Sequence, residues 1–253
     1  MLLGYSTPVT KASTGVFTTA TINTSLAFLK NGRPGGLCEL EIGAGTDQLF
    51  ISFADPIRCR LIALINVSFA VGQNVTATLR VGDGGYGTSP QVRQVVETAS
   101  GDRCVFFKLG TSNVTGVSFI LPEGTHTIGE VWASDALDAC IRSDWASGVG
   151  NIDKDVSLSG AVYRAPAVPR RTVAVALAPK RYEESFAEFR KVSLAVSDDP
   201  RVLIAPDAKD QAALESTGMY ARVVSNNPVQ GEPGGRAFSW SLSAEEMPGR
   251  LPA

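Results

Sequence analysis

The stretch DQLFISFADPIRCRLIALINVSFAVGQNVTATLRV, residues 47–81, contains three segments with different hydrophobic patterns. In segments 47–54 and 74–81, apolar residues alternate with other residues, as in strands that have one face against a core. Segment 60–70 between them is almost continuously apolar, which indicates a strand covered on both faces. Short strands joined by turns, such as the turn expected at Asp55-Pro56, predict an antiparallel β-sandwich.

We divide the chain into three parts. Residues 1–36 are rich in threonine, which favours extended backbone, and we interpret them as an arm laid over a neighbour or an edge strand of the same sandwich. Residues 37–145 form the β-sandwich domain, because strand patterns and polar loops follow one another there without a long helical pattern, as in a jelly roll. A short helix is predicted at 136–141, before the Gly/Ser stretch 147–150 that marks the domain boundary.

The remaining residues, 146–253, predict a smaller α+β domain, so the whole chain is expected to be mainly β. Its clearest element is an amphipathic helix over 181–196, with Tyr182, Phe186 and Phe189 at helical spacing. The helix is expected to end at Asp198-Asp199-Pro200. The other predicted elements are a short helix at 208–216 and extended segments at 156–164, 171–177, 201–205, 220–224 and 237–242.

Charge and composition exclude some classes of partner. A net charge of −2 and a pI near 5.5 provide no basic surface for nucleic acid or anionic lipid. No apolar run is long enough to span a bilayer and the start lacks a signal-peptide pattern, so we expect neither membrane insertion nor secretion. The cysteines are far apart and have no CxxC spacing, so we predict buried thiols: Cys38, Cys59, Cys104 and Cys140.

Residues suited to catalysis are sparse. The single histidine, His126, has no ligand or triad partner at a recognisable spacing, and we interpret it as a surface turn residue. The acidic pairs Asp153/Asp155 and Glu245/Glu246 are interpreted as solvated loop and cap residues. We therefore assign no catalytic, metal-binding or cofactor-binding residue, expect no cofactor, and do not expect an enzyme.

The segment GDGGYG, residues 82–87, fits the pattern GxGxxG and follows a predicted strand. Phosphate binding by this pattern requires a helix whose N-terminal amides face the anion, and the sequence after the segment does not predict one. We interpret the segment as a hairpin loop.

Two groups of residues leave alternatives open. The aromatic residues Trp132, Trp145, Trp240 and Tyr86 are either sugar-stacking platforms or core residues, and the strand spacing of Trp132 and Trp240 favours the core. The basic residues after the domain boundary form either a patch that faces an acidic partner or two solvated hairpin ends. These basic residues are Arg164, Arg170, Arg171, Lys180 and Arg181.

Three stretches carry a family resemblance: LIALINVSFAVGQNVTATLRVG (61–82), VTGVSFILP (114–122) and IGEVWASDALDA (128–139). They resemble a galactose-binding-like jelly roll found in structural proteins of tailed bacteriophages, and SLSGAVY (157–163) is similar to a later segment of the same architecture. The resemblance covers about residues 45–245. It implies a virion component of the tail tip or baseplate, assembled in the bacterial cytoplasm, that binds other tail proteins and further copies of itself.

These observations support three hypotheses. The first is a non-enzymatic structural component of a tailed-phage virion that acts by ring-type self-assembly. The second is a carbohydrate-binding β-sandwich module that aids adsorption to a host surface, with ligand-binding residues that the sequence does not identify. The third, least supported, is a hydrolase that uses a carboxylate pair such as Asp153 and Asp155.

Overall fold

A computed structural model describes residues 1–11, 14–43, 48–82, 85–86, 89–98, 101–139, 146–150, 154–156, 162–164, 170–177, 180–231 and 237–247. Antiparallel strands dominate these residues, and the two larger sheets have ten and seven strands. The prediction of a mainly β chain, with an antiparallel sandwich followed by a smaller α+β unit, is confirmed. Cys140, Trp145 and Asp153 lie outside the described residues.

The strands of the first part of the chain are β1 Leu2–Tyr5, β2 Gly15–Thr18, β3 Thr21–Ile22, β4 Cys38–Ile42, β5 Gln48–Val67, β6 Asn74–Val81, β7 Gly85–Tyr86, β8 Gln91–Gln94, β9 Val96–Glu97, β10 Arg103–Ile120, β11 Gly124–Ser134 and β12 Ala136–Asp138. The later strands are β13 Ala146–Gly150, β14 Lys154–Val156, β15 Val162–Arg164, β16 Arg170–Ala176, β17 Lys180–Arg181, β18 Arg201–Ala205, β19 Met219–Asn226, β20 Gln230–Gly231, β21 Ala237–Ser239 and β22 Ser241–Glu246. The helices are α1 Tyr182–Asp198 and α2 Gln211–Thr217, and short 3-10 helices span Pro8–Thr10 and Leu26–Lys30.

The ten-stranded sheet, called here the large sheet, folds over on itself to make the sandwich. Its two longest strands, β5 and β10, pair along most of their length. The rings of Phe107 and Phe119, both on β10, have centroids 6.2 Å apart. An extended strand would separate these positions by about 40 Å, so β10 bends back and its two ends face each other across the core.

Pro56 marks the bend of β5. The sequence predicts a turn at Asp55-Pro56 between two short strands, and this prediction is wrong, because both residues lie inside the continuous strand Gln48–Val67. The pairing with β10 shifts register in this region. A proline that cannot donate a hydrogen bond is tolerated at such an irregularity, which lets one strand contribute to both halves of the sandwich.

The second half of β5 is covered on both faces, as its continuous apolar sequence predicts. Ile62 and Leu64 point into the sandwich core. Leu61, Ala63 and Ile65 point the other way and pack against the seven-stranded sheet, called here the small sheet. The alternation predicted for the first half of β5 is also confirmed, since Leu49 and Ile51 are buried in the core and Ser52 is exposed.

The small sheet has the order β12-β1-β18-β19-β22-β16-β13. Its strand β1 comes from the start of the chain and pairs with β12 and β18, whereas β2 and β3 join the large sheet. Residues 1–36, which the sequence groups as one arm or edge strand, are therefore divided between the two sheets. The helix predicted at 136–141 is wrong for Ala136–Asp138, because these residues pair with β1 as a strand.

Helix α1 covers the face of the small sheet that points away from the sandwich. Phe189, Val192 and Val196 of this helix are buried against Val202 and Ile204 of β18. The predicted amphipathic helix is confirmed, and it ends before Asp199 and Pro200. The molecule thus has four layers: the two halves of the large sheet, the small sheet, and α1. No helix among the described residues is both long and apolar enough to cross a bilayer.

The described cysteines are free and buried, as predicted. Burial raises the pKa of the Cys59 and Cys104 thiols to about 12, and it also raises the pKa of Cys38. Thiolates are the reactive form of cysteine, so we expect these residues to resist alkylation at pH 8 in the folded protein. Peptide mass spectrometry after iodoacetamide treatment should find Cys59 and Cys104 modified only when denaturant is present. If these cysteines of the folded protein were alkylated as fast as an exposed free thiol, that result would contradict their burial.

Candidate functional site

A groove of about 470 Å³ crosses the outer face of the large sheet. Strands β2, β5, β6 and β10 supply its lining. The lining residues are Phe17, Phe50, Ile51, Ser52, Phe53, Arg80, Thr115 and Gly116. The opposite face of these strands is the sandwich core, so the groove lies on a rigid support.

The groove forms where β5 and β10 fall out of register. Ser52 pairs with Gly116 and Ile57 pairs with Val114, so β5 has four residues between these pairs where β10 has only Thr115. Gly116 is required by the close approach of the strands, because a Cβ atom there would lie 2.6 Å from the Ile51 carbonyl oxygen. Irregularities of this kind bend a sheet and often lie beside functional sites.

Two phenylalanines form one wall of the groove. Phe17 on β2 lies directly opposite Phe50 on β5, so both rings project from the same face. The Phe17 side chain is 60% exposed, the exposure of a surface ring rather than a core ring. Its ring lies over Gly15, since a Cβ atom at Gly15 would be 2.6 Å from Phe17 Cε2. The glycine therefore allows the ring to turn toward the groove.

Polar groups form the other wall. The guanidinium carbon of Arg80 lies 4.8 Å from the centre of the Phe50 ring, a cation–π arrangement that fixes the arginine beside the aromatic wall. The Thr115 hydroxyl donates to the Gly82 carbonyl oxygen at 3.1 Å, and its lone pairs can still accept hydrogen bonds. Ser52 adds an exposed hydroxyl. These groups can hold a ligand that has both an apolar face and hydroxyl groups.

The lining offers binding groups and little else. Among the described residues that line the groove, Arg80 is the only one with a charged side chain, and none is a histidine, carboxylic acid, lysine, tyrosine or cysteine that could act as a general acid or base. The described residues contain no cluster of three or more His, Cys, Asp or Glu side chains that could hold a metal ion. The arrangement is suited to recognition through stacking and hydrogen bonds.

His126 is not a turn residue, so the sequence interpretation is wrong. It lies within β11, pairs with Leu40 of β4, and its ring makes an edge contact with Phe69 at 4.7 Å. Its Nε2 lies 3.0 Å from the Glu123 carbonyl oxygen. Pairing with β4 continues the strand through His126. The sequence did not predict this pairing, because Gly124 just before the histidine indicated a turn.

Glu246 is also misassigned by the sequence. It is only 4% exposed and pairs with Arg171, whose Nη2 lies 2.6 Å from Glu246 Oε1. The neighbouring Glu245 is a partly exposed residue that pairs with Arg170. Arg171 is therefore a structural cation rather than part of a solvated hairpin end or a free patch. The side chains of Asp155, Arg164, Lys180 and Arg181 lie outside the described residues.

The core interpretation of the tryptophans is confirmed for Trp132 and Trp240, which are fully buried. They are therefore unavailable as sugar platforms, and the structure does not describe the side chain of Tyr86. The hairpin interpretation of GDGGYG is confirmed for the described residues, because Gly85 and Tyr86 fold back onto Val81 and Arg80. Gly82 has a φ of +61°, as turn glycines often do.

Sequence reasoning missed the groove, although one signal was present. The alternation in segment 47–54 places Phe50 on the face opposite to Leu49 and Ile51, so a large aromatic ring is expected on the outer face. The alternation in 74–81 places Arg80 on the outer face as well. That Phe17 joins them depends on β2 pairing with β5, which a single sequence does not reveal.

Comparison with known proteins gives likenesses of structure alone. No protein-family model matches the chain, and no curated protein matches it. A His 62 mutant of the lectin binding domain of Lectinolysin, complexed with Lewis b, is 9% identical with a TM-score of 0.43, covering 53% of this chain and 99% of that one. The family 32 carbohydrate-binding module from C. perfringens NanJ, in complex with galactose, is 8% identical with a TM-score of 0.41, covering 52% and 98%.

A Streptococcus pneumoniae fucose binding module is 10% identical with a TM-score of 0.39, covering 51% of this chain and 95% of that one. At these identities and scores the likeness describes a similar arrangement of strands over about half of the chain. We draw no conclusion about function from it.

Proposed function

We propose that the protein is a non-catalytic carbohydrate-binding protein whose groove on the large sheet receives a sugar ring. The observation that carries the proposal is the groove itself: an exposed aromatic ring, Phe17, stands beside Phe50 and Arg80 on a rigid sheet. The likeness to carbohydrate-binding modules is too distant to add to this argument.

The chemistry of the two walls matches the two faces of a sugar. A pyranose presents axial C–H groups on one face, and these pack on an aromatic ring much as other apolar groups do. Its hydroxyl groups point outward from the ring, where the Arg80 guanidinium can donate to them and the Ser52 hydroxyl can donate or accept. The volume of about 470 Å³ falls within the range of small-molecule sites, ~300–1,000 Å³.

Replacing Phe17 by alanine is expected to weaken sugar binding by about 10- to 100-fold, because burying a phenylalanine ring contributes roughly 1.5–3 kcal/mol. A glycan array of the native protein identifies the ligand, and isothermal titration calorimetry then measures the dissociation constants. Phe28→Ala is the matched control, since Phe28 is 38% exposed on the short 3-10 helix and does not line the groove. Equal loss in both variants would contradict a role for the groove.

Arg80→Met tests the polar wall in the same titration. The methionine keeps an apolar side chain beside Phe50 and removes every guanidinium donor, so a sugar should bind more weakly. Native affinity in both Arg80→Met and Phe17→Ala, or no glycan binding by the native protein, would refute the proposal.

A second candidate is a structural component of a tailed-phage virion that assembles through its sheet edges. The observation in its favour is the terminal strand of the large sheet, β3, which pairs with β4 on one side. Ile22 on this strand and Leu37 nearby are both exposed apolar residues. Unprotected strand edges are sites of pairing with another chain. Sedimentation analysis should then show an oligomer that Ile22→Lys dissociates, and a monomer at all concentrations would contradict this role.

A further inference from the structure

Glu130 is a buried acid at the junction between the two sheets. It lies on β11, on the same side of the strand as Trp132, and it is fully buried. Arg201 of β18 and Tyr220 of β19 face it from the small sheet. Neither carboxyl oxygen of Glu130 nor the hydroxyl of Tyr220 completes a hydrogen bond of ordinary geometry, although the Tyr220 hydroxyl is close enough to the Glu130 carboxyl to lower its pKa. Buried polar groups are nearly always satisfied, so this junction is an exception that needs an explanation.

The cation that acts on Glu130, Arg201, is already paired with another acid. Arg201 binds Asp199 through two bonds, Nε to Oδ1 at 2.7 Å and Nη2 to Oδ2 at 2.6 Å. The charged or titratable groups that act on Glu130 are Arg201, Tyr220 and Asp199. Cys104 lies on the same face, separated from Glu130 by Ile65 of β5. Burial outweighs the attraction of Arg201 and raises the pKa of Glu130 to about 8.

A loop closes over this junction. The Pro34 carbonyl oxygen lies against Gly129, where any side chain would overlap it, and accepts a hydrogen bond from Asn66 Nδ2 at 2.8 Å. Gly32 has a φ of +72° and lies against the Arg201 guanidinium, where a side chain would again overlap. Arg33 between them is exposed, so its charge faces solvent. The Gly32 end of loop 31–36 is therefore packed against the Arg201 guanidinium.

We propose that Glu130 is a proton-controlled latch: its neutral form keeps the two sheets and loop 31–36 closed, and its ionised form draws Arg201 from Asp199 and loosens the loop. The proton leaves to solvent, and no other group changes its covalent state. An ionised carboxylate in a buried site needs a counter-ion, and Arg201 is the cation that faces it.

The direction of the pH effect follows from the raised pKa. Glu130 in the unfolded chain has a pKa near 4.5, and in the folded chain near 8. Its proton therefore stabilises the fold fully below about pH 4.5, and this stabilisation is lost as the pH rises toward 8. The contribution of this group to the folded-to-unfolded ratio should fall by about a thousandfold over that interval.

The experiment compares native protein, Glu130→Gln and Glu123→Gln by urea unfolding from pH 5 to pH 9. Glu123 is an exposed acid just before the same strand, so its variant should follow the native pH profile. Glu130→Gln cannot ionise, so its free energy of unfolding should lose the part of the pH dependence that Glu130 causes, and should vary less with pH than that of the native protein. Hydrogen exchange of amides in 31–36, corrected for intrinsic rates, should rise above pH 8 in native protein and stay constant in Glu130→Gln. Identical profiles in native and Glu130→Gln would overturn the proposal.

Tyr220→Phe keeps the test decisive if Glu130→Gln does not fold. The Tyr220 hydroxyl lowers the pKa of Glu130, so removing it should move the loosening of loop 31–36 to higher pH. Carboxyl NMR of protein labelled with 13C-glutamate should show one signal that titrates near pH 8 in native protein and at higher pH in Tyr220→Phe. The proposal would be overturned if loop 31–36 loosened at the same pH in Tyr220→Phe as in native protein. It would also be overturned if every glutamate carboxyl signal had completed its titration by pH 6.

Discussion

Replacing Arg171 by methionine should destabilise the protein by about 3–5 kcal/mol, because the change leaves the buried Glu246 carboxylate without its counter-ion. Arg171 binds Glu246 through Nε at 3.0 Å and Nη2 at 2.6 Å, and Nη2 also donates to the Gly218 carbonyl oxygen at 2.8 Å. These bonds join β16, β22 and Gly218, the residue just before β19. The methionine fills similar space, so loss of the charge rather than a cavity causes the effect.

The adjacent arginine provides the control. Arg170 pairs with Glu245 at 3.1 Å, but the two side chains are 45% and 37% exposed, and water already screens their charges. Arg170→Met should therefore cost only about 0–1 kcal/mol. The double variant Arg171→Met/Glu246→Leu should recover much of the loss, because it leaves no buried charge. Equal destabilisation by Arg170→Met and Arg171→Met in urea unfolding would contradict this account of the pair.

Trp132→Ala should cost about 3–5 kcal/mol, because it opens a cavity in the layer between the two sheets. Trp132 is fully buried, its ring contacts Tyr220 of the small sheet at 5.6 Å, and its Nε1 donates to the Ser134 hydroxyl at 2.9 Å. For a domain of this size the loss corresponds to a fall in Tm of about 6–20 °C, measurable by scanning calorimetry.

Two further variants separate the causes of the Trp132 effect. Trp132→Phe keeps most of the ring and removes the hydrogen bond to Ser134, so it should cost less than the alanine change. Phe17→Ala removes an exposed ring and should change the free energy of unfolding by under about 1 kcal/mol. That result would also show that Phe17→Ala is folded and suitable for the binding experiment. A Trp132→Ala protein as stable as Phe17→Ala would contradict the four-layer packing.

The hydrophobic pattern of the sequence correctly predicted those elements that have the same kind of surroundings along their whole length. Segment 60–70 is apolar throughout because the sandwich core and the small sheet cover its two faces. Helix α1 has helical periodicity because one side packs on the small sheet while residues such as Leu194 remain exposed. In both cases the order of apolar and polar residues in the segment matches which of its faces are buried.

Long-range pairing decided the features that the sequence did not predict. Ala136–Asp138 is a strand because β1, from the start of the chain, supplies its backbone partner. Glu246 is buried because Arg171 pairs with it from another strand. The groove combines Phe17 with Phe50 and Arg80, and their proximity depends on the registers of three separate pairs of strands. Residues close in sequence to these positions do not indicate which distant strands will pair with them.

The most direct test of carbohydrate binding in the groove is 15N chemical-shift mapping while the best ligand from the glycan array is titrated into the native protein. The proposal predicts saturable shifts centred on the amides of Phe17, Phe50, Ser52, Arg80 and Thr115, which are lost in Phe17→Ala. Shifts centred on any other surface, or shifts that persist unchanged in Phe17→Ala, would contradict it.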